Sequence, residues 1–327
     1  MPNDLIIAWP EYESALQEEL SMLEFANISP QAFQVSGGAV EILPAFARQF
    51  LPNAQILEAQ SIKQSAQSIL ELVPKEGSWK IHFCDAASLG DFEVTGRSKL
   101  IETALLELLK KKDRFGLKRM VEAGQKSQAL IQHFSLTAGL SAISVTDSFY
   151  PNGFVVEGGI GGRVFIEEDK APPARSYRKL KEALVLTGLE IKRKETVVDL
   201  GSSPGSWAWV CLENGAGVIA VDRTELDSTL MENNSLKFIK GDAFTFKPEK
   251  PVDWLVSDII AGPYRITKLL EEWVKEKRMK KFCVTLKFKG EERRDFIGEV
   301  RAVLKDTKYL IRHLENNKNE VTAIGLV

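Results

Sequence analysis

VVDLGSSPGSWAWV, residues 197–210, sets an apolar run, an acid, a string of small residues with one proline, and two tryptophans in close succession. The apolar run reads as a buried strand and the small residues as a tight turn into a helix. Gly201 and Gly205 let backbone approach a ligand, Pro204 stiffens the turn, and Asp199 stands where a carboxylate can hold a cationic or amine group. The spacing is not GxGxxG. A pyrophosphate cofactor needs that spacing to bring a helix terminus up to its phosphates, which argues against a dinucleotide-dependent oxidoreductase.

Outward from this turn the chain alternates strand and helix. Apolar runs at 196–200, 217–221, 236–239, 252–257 and 282–286 are separated by helical patterns such as Ile266, Leu269, Leu270, Trp273 and Phe296, Ile297, Val300, Val303, Leu304. Two last strands, KYLIRHL and EVTAIGLV, are joined by ENNKN, too short for a parallel crossover, so they form an antiparallel hairpin. The pattern predicts an α/β, doubly wound, seven-stranded Rossmann-like sheet of the methyltransferase type. Such a sheet binds its ligand at the carboxyl edge, where the 197–210 turn lies. Asp222 ends the second strand and is placed to accept both hydroxyls of a ribose; Asp242, after the third strand, is placed to meet an adenine amino group. Any one of these acids reads as a turn or cap residue, but three at successive strand ends do not. An adenosine with an amino-acid tail suits them, and the expected cofactor is S-adenosylmethionine.

Composition sets the outer bounds. The 327 residues allow two domains, and 44% hydrophobic content is ordinary for a globular chain. The start, MPNDLIIAWPEYES, has only a short apolar run with acids behind it, and no stretch approaches a membrane span, so a cytoplasmic protein without membrane partners is expected. Cys84, Cys211 and Cys283 are far apart and form no CxxC, so they are expected to be buried apolar side chains, with no metal required for chemistry. Residues 1–170 hold 15 Lys and Arg against 22 Asp and Glu, whereas 171–327 hold 28 against 23, so the second half is the one that could favour a polyanion. A Pro-Pro pair after an acidic patch places a linker near 167–174, dividing the chain into 1–166 and 167–327. Gly158, Gly159, Gly161 and Gly162 lack a following Lys-Ser/Thr and read as a hairpin turn.

DLGSSPGSW, VDR, KGDAF, SDI, TLKFK and NEVTAIGL, in that order, resemble the FtsJ-like RNA ribose 2′-O-methyltransferases, and PPARSYRKLKEA is similar to the segment before the first strand in the branch that modifies a cytidine of large-subunit (23S) rRNA. LIIAWPEYESALQEEL, FARQFLPNAQILEAQ and SWKIHFCDA resemble, more weakly, that branch's N-terminal ferredoxin-like and THUMP-like regions, which present RNA. The resemblance implies a cofactor site formed by Ser176, Asp199, Gly201, Ser203, Pro204, Gly205, Ser206, Trp207, Asp222, Asp242 and Asp258, with Arg175 as a further phosphate or cofactor contact. The family turn usually reads PGGW. Here Ser206 replaces the second glycine, and it is expected to sit beside the cofactor and cap the helix.

The resemblance further implies a Lys-Asp-Lys-Glu catalytic set with counterparts at Lys179, Asp258, Lys287 and Glu320. Strands four and five end at the carboxyl edge and an antiparallel last strand starts there, so Asp258, Lys287 and Glu320 can converge. A ribose hydroxyl is a poor nucleophile, so it must be oriented and lose its proton during an in-line displacement. A lysine acts as base only when neutral, which a neighbouring cation and desolvation promote. By the resemblance Lys287 is that base and Lys179 the cation that steers the ribose, while Asp258 and Glu320 orient the pair. The expected partner is RNA, 23S rRNA or a pre-ribosomal precursor. In the first half the strip Lys110, Lys111, Lys112, Arg114, Lys118, Arg119 is either an RNA surface or a solvated helix end. The alternative activity class is a catalytically decayed RNA-binding or ribosome-assembly factor, against which the complete set of four argues.

Overall fold

The computed structural model describes residues 3–37, 40, 42–85, 96–122, 125, 127–137, 139–146, 162–288 and 296–327. The chain divides into two compact units, Met1–Val164 and Phe165–Val327.

The first unit is a mixed seven-stranded sheet. Its strands are β1 (Asn3–Ala8), β2 (Phe25–Ser29), β3 (Ala32–Ser36), β4 (Ala47–Glu58), β5 (Trp79–Asp85), β6 (Ala129–Thr137) and β7 (Leu140–Thr146), in the order β2-β3-β1-β4-β7-β6-β5. The long β4 joins two halves: its first part pairs with β1, as in Ile6 against Phe50, and its last part pairs with β7, as in Gln55 against Ile143. Helix α1 (Glu13–Leu20) lies between β1 and β2 in the chain. Helix α2 (Ile62–Leu72) starts on a Ser61/Gln64 capping box, which satisfies two of its free N–H groups. Helix α3 (Gly96–Lys112) shares a core with it, built from Ile69, Trp79, Ile101, Leu105, Leu109 and Ile131. The short α4 (Arg114–Arg119) follows, and Arg119, one of the strip's cations, spends its guanidinium on the carbonyls of Gly77 and Pro74. Gly158, Gly159 and Gly161 lie outside the described residues. Gly162 has φ +76°, and a Cβ there would meet the Arg48 carbonyl at 2.0 Å.

The second unit opens with α5 (Tyr177–Thr187) and continues β8 (Thr196–Leu200), α6 (Ser206–Glu213), β9 (Gly217–Asp222), α7 (Ser228–Met231), β10 (Leu236–Lys240), β11 (Val252–Ser257), α8 (Pro263–Lys275), β12 (Met279–Lys287), α9 (Phe296–Leu304), β13 (Lys308–Arg312) and β14 (Glu320–Leu326). The sheet order is β10-β9-β8-β11-β12-β14-β13. From β8 the chain steps outward through β9 and β10, then returns to β11 on the other side of β8. That reversal opens a crevice at the carboxyl ends of β8 and β11. The core-facing runs are near-continuous, with Val197, Val198, Trp254, Leu255, Val256, Phe282, Cys283 and Val284 all buried, as strands covered on both faces require. β12 begins three residues earlier than its apolar pattern suggests, because Met279 and Lys281 already have ladder partners in Val252 and Trp254. The final hairpin is antiparallel, and β14 inserts between β12 and β13 instead of lying at the edge. Cys84, Cys211 and Cys283 are all free and buried.

Candidate active site

Two clefts meet at the carboxyl edge of the second sheet. The first, about 680 Å³, is lined by the β8–α6 turn (Gly201, Ser203, Pro204), by Asp222 and Asp242 at the ends of β9 and β10, and by Asp258 to Gly262 after β11. The second, about 670 Å³, is lined by Arg175, Arg178 and Lys179 before and within α5, by Phe288, and by Asn316 to Glu320 except Asn317. Ser176, Ile260 and Lys287 line both.

At the junction stand two ammonium groups and two carboxylates. Lys179 Nζ lies 3.1 Å from each Asp258 carboxylate oxygen and 2.5 Å from Glu320 Oε1. Lys287 Nζ lies 2.9 Å from Asp258 Oδ1, 3.6 Å from Glu320 Oε2, and donates to the Asp258 carbonyl at 3.0 Å. The four charges balance, and the side chains retain 6% to 16% exposure, so they are largely withdrawn from water yet reachable from the clefts. Strand register produces this meeting: Lys287 ends β12 directly opposite Glu320, the first residue of β14. Thr285, two residues before Lys287 on the same face, donates to Asp258 Oδ1 at 2.7 Å. Sequence reasoning passed over Thr285; the period-two spacing from Lys287 is the feature that could have found it.

The acids of the first cleft are held by backbone donors. Asp222 accepts from Ser203 N at 3.0 Å and Thr224 N at 2.9 Å, which orients its carboxylate at the strand end. Asp242 accepts from Phe244 N at 2.9 Å and pairs with Arg223 at 2.5 Å; these contacts hold its carboxyl below the usual range, so it stays an acceptor. Arg265 lies over the Phe244 ring, 3.9 Å from its centroid, at the cleft's far wall.

The residues of the opening motif divide differently from what the sequence suggests. Gly201, Ser203 and Pro204 line the first cleft, whereas Asp199, Gly205, Ser206 and Trp207 do not. Asp199 is 1% exposed and accepts from Ser202 Oγ at 2.5 Å; burial, with Asp258 and Asp222 nearby, pushes its carboxyl up to about 7. It lies buried beneath the turn and lines neither cleft. Gly201 is needed because its φ is +72° and a Cβ would fall 2.1 Å from Ile259. Gly205 has φ +110°, and its close neighbour is Leu230, not the cleft. Ser206 does not cap α6: the N-cap is Gly205, with no side-chain cap. Ser206 Oγ donates instead to the Ala174 carbonyl at 3.0 Å, and Trp207 Nε1 donates to the Ser176 carbonyl at 2.8 Å. Both side chains are buried and clamp the segment that starts α5. Tyr177 fastens the same segment from the other side, accepting from Asp169 N at 2.7 Å and donating to the Glu167 carbonyl at 3.2 Å. The clamped segment carries Ser176 to both clefts and Lys179 to the charged cluster.

Among the described residues no group of three His, Cys, Asp or Glu side chains is arranged to hold a metal, and no helix is long and apolar enough to cross a membrane.

The chain is similar in sequence to several known proteins. The ribosomal RNA large subunit methyltransferase M of Thauera aminoaromatica is 28% identical over 86% of this chain and 78% of its own length. The protein of that name from Azoarcus sp. is 32% identical over 46% of this chain, and that from Pseudomonas fluorescens 38% identical over 33%. The chain spans less than half the length of these last two. A solved structure described as a ribosomal RNA methyltransferase, putative, from Plasmodium falciparum is 18% identical, with a TM-score of 0.38, over 47% of this chain and 96% of that one, a likeness too slight to carry weight. Residues 173–319, which run from the second proline of the Pro-Pro pair past Lys179, Asp258 and Lys287 and stop one residue short of Glu320, match the FtsJ-like methyltransferase family. The match lies wholly within the second unit, Phe165–Val327.

Proposed function

We propose that this chain transfers a methyl group from S-adenosylmethionine to a ribose 2′-hydroxyl of RNA, a cytidine of 23S rRNA or its precursor. The observation that carries this reading is the pair of clefts joined at Lys287, with Asp258 on the wall of the first, Lys179 and Glu320 on the wall of the second, and ion pairs between them. A group-transfer enzyme needs a donor site and an acceptor site that open on one reactive point.

The first cleft fits the cofactor by the chemistry of its donors. The Asp222 carboxylate, already oriented by two N–H groups, can accept from a vicinal diol. Asp242 can accept from an exocyclic amine while Phe244, Ala243 and Ile259 cover the faces of a flat ring. Ser176, Gly201, Ser203, Pro204 and Asp258 complete the wall. When bound, the sulfonium supplies an electrophilic methyl group.

The second cleft receives the acceptor nucleotide. Arg175, Arg178 and Lys318 supply cations for phosphates, and Phe288 an apolar surface for a ribose or base. Lys179, fixed between Asp258 and Glu320, donates to the ribose oxygen and orients it. Lys287 in its neutral form takes the hydroxyl proton as the oxygen attacks. Asp258 and Glu320 hold both lysine side chains at the junction and offset the charge that develops there. The first unit presents the RNA, in keeping with its resemblance to ferredoxin-like and THUMP-like regions.

The test is methyl transfer from radiolabelled S-adenosylmethionine to unmodified 23S rRNA, followed by mapping of the 2′-O-methyl group. Incorporation at one cytidine ribose is the expected result. Incorporation on a base, or none with cofactor bound, overturns it.

A further inference from the structure

One buried acid of the second unit has no part in either cleft. Glu182 lies on α5, three residues after Lys179, and is 1% exposed. A carboxylate so far from water is costly unless its oxygens are engaged. Among the described residues no Lys, Arg or His lies within ion-pair distance of it; its partners are N–H donors of two successive residues on a distant turn. Glu182 Oε1 accepts from Glu315 N at 2.7 Å, and Oε2 accepts from Asn316 N at 3.2 Å and Asn316 Nδ2 at 2.9 Å. Burial pushes the carboxyl up to about 7, and these three donors pull in the opposite direction.

The turn does not need Glu182 for its own shape. Asn317 closes it locally: Leu314 N donates to Asn317 Oδ1 at 2.7 Å, Asn317 N to the Leu314 carbonyl at 3.0 Å, and the Asn317 side chain meets Thr322 Oγ1 at 3.3 Å. What Glu182 adds is attachment of that preformed turn to α5. The same helix reaches the end of the turn a second time, through Lys179 to Glu320. Residues three apart share a helix face, so α5 holds the turn at two points.

We propose that Glu182 is a positioning residue for the start of β14: its carboxylate fixes the 313–319 turn so that Asn316, Lys318 and Asn319 form one wall of the second cleft and Glu320 arrives at Lys179. The role of that wall in holding RNA rests on the function proposed above; the attachment itself does not.

The full-length chain with Glu182→Gln, and separately Glu182→Asp, tests this. Gln sets an NH₂ against N–H donors, and Asp is one methylene too short for both backbone donors. Amide hydrogen exchange at 314–319 should accelerate roughly tenfold in each, the loss of about one charge-assisted hydrogen bond. The KM for a 23S rRNA transcript should rise several-fold while kcat falls less. The Kd for S-adenosylmethionine should stay within about twofold, because no residue of the turn lines the first cleft. A variant that collapsed as a whole would lose cofactor affinity too, and such a joint loss in both variants overturns the proposal. Unchanged exchange at the turn, or unchanged KM in an active enzyme, also overturns it. If wild-type protein methylates no RNA, the functional reading fails and the exchange comparison alone decides the role of Glu182. Should Glu182→Gln not fold, Glu182→Asp carries the same readouts.

Discussion

Lys287 and Glu320 face each other across the β12–β14 ladder as the last residue of one strand and the first of the next, with Nζ 3.6 Å from Oε2. The antiparallel insertion of β14 makes this possible, because a parallel strand in that place would begin at the opposite edge of the sheet. The base proposed for the reaction is thus fixed by backbone register, and substitution there should affect chemistry more than folding or cofactor binding.

Lys287→Ala should abolish turnover and leave the Kd for S-adenosylmethionine within about twofold, since the contacts proposed for Asp222, at the end of β9, and Asp242, in the loop after β10, do not involve it. Lys287→Arg should be nearly as inactive, because a guanidinium does not release its proton at a working pH. An active arginine variant would make Lys287 a fixed charge and move the proton to Asp258 or water.

Asp222→Ala should weaken S-adenosylmethionine binding by roughly 1.5 to 3 kcal/mol, the range for hydrogen bonds to a charged group. Part of that loss comes from the turn itself, because Asp222 also orients Ser203 and Thr224. Calorimetry on Asp222→Asn, which keeps one oxygen acceptor, should give a smaller loss. Equal affinity in all three proteins would remove Asp222 from the site.

Trp207→Phe keeps an aromatic ring in the core but loses the 2.8 Å bond to the Ser176 carbonyl, and Ser206→Ala loses the bond to Ala174. Each should lower stability by about 1 kcal/mol. Because neither side chain lines the cofactor cleft, cofactor affinity should hold while kcat drops, as Lys179 loses its clamped helix start. A kcat equal to wild type in both would show that α5 is positioned without the clamp.

Stability should decline with pH through the neutral range. The Asp199 carboxyl, pushed up to about 7 by burial, keeps a proton that the unfolded chain has released above about pH 4. Its contribution is therefore complete below pH 4 and lost as pH rises through 7. Glu182 acts with the same sign. Melting temperatures at pH 5 and pH 8 should differ less for Asp199→Asn than for wild type. An identical difference would place the Asp199 pKa outside that interval.

A fragment starting at Phe165, the second compact unit, should bind S-adenosylmethionine as the full chain does and lose most activity on rRNA. Full activity from the fragment would remove the first unit from RNA delivery.

The strands of the second unit, its closing hairpin and the acids at its strand ends were legible in the sequence, because apolar periodicity and turn residues act over a few neighbouring positions. Lys179, Asp258, Lys287 and Glu320 were picked out through the resemblance to the FtsJ-like family, and the structure brings their side chains together. Which side of the 197–210 turn each residue serves was not legible. Asp199 by its place in the turn, and Ser206 and Trp207 by the resemblance, read as cofactor contacts; in the structure their partners are Ser202, Ala174 and Ser176, set by how α6 packs beside α5. Glu182 carries no mark in the sequence for the same reason, since the groups that it holds are more than 130 positions away, and Thr285 is marked only by its period-two spacing from Lys287. A local pattern fixes which elements form and which edge they end on, whereas the partner of a buried polar group is set by the three-dimensional order of strands. Here that order is decided by inserting β14 between β12 and β13.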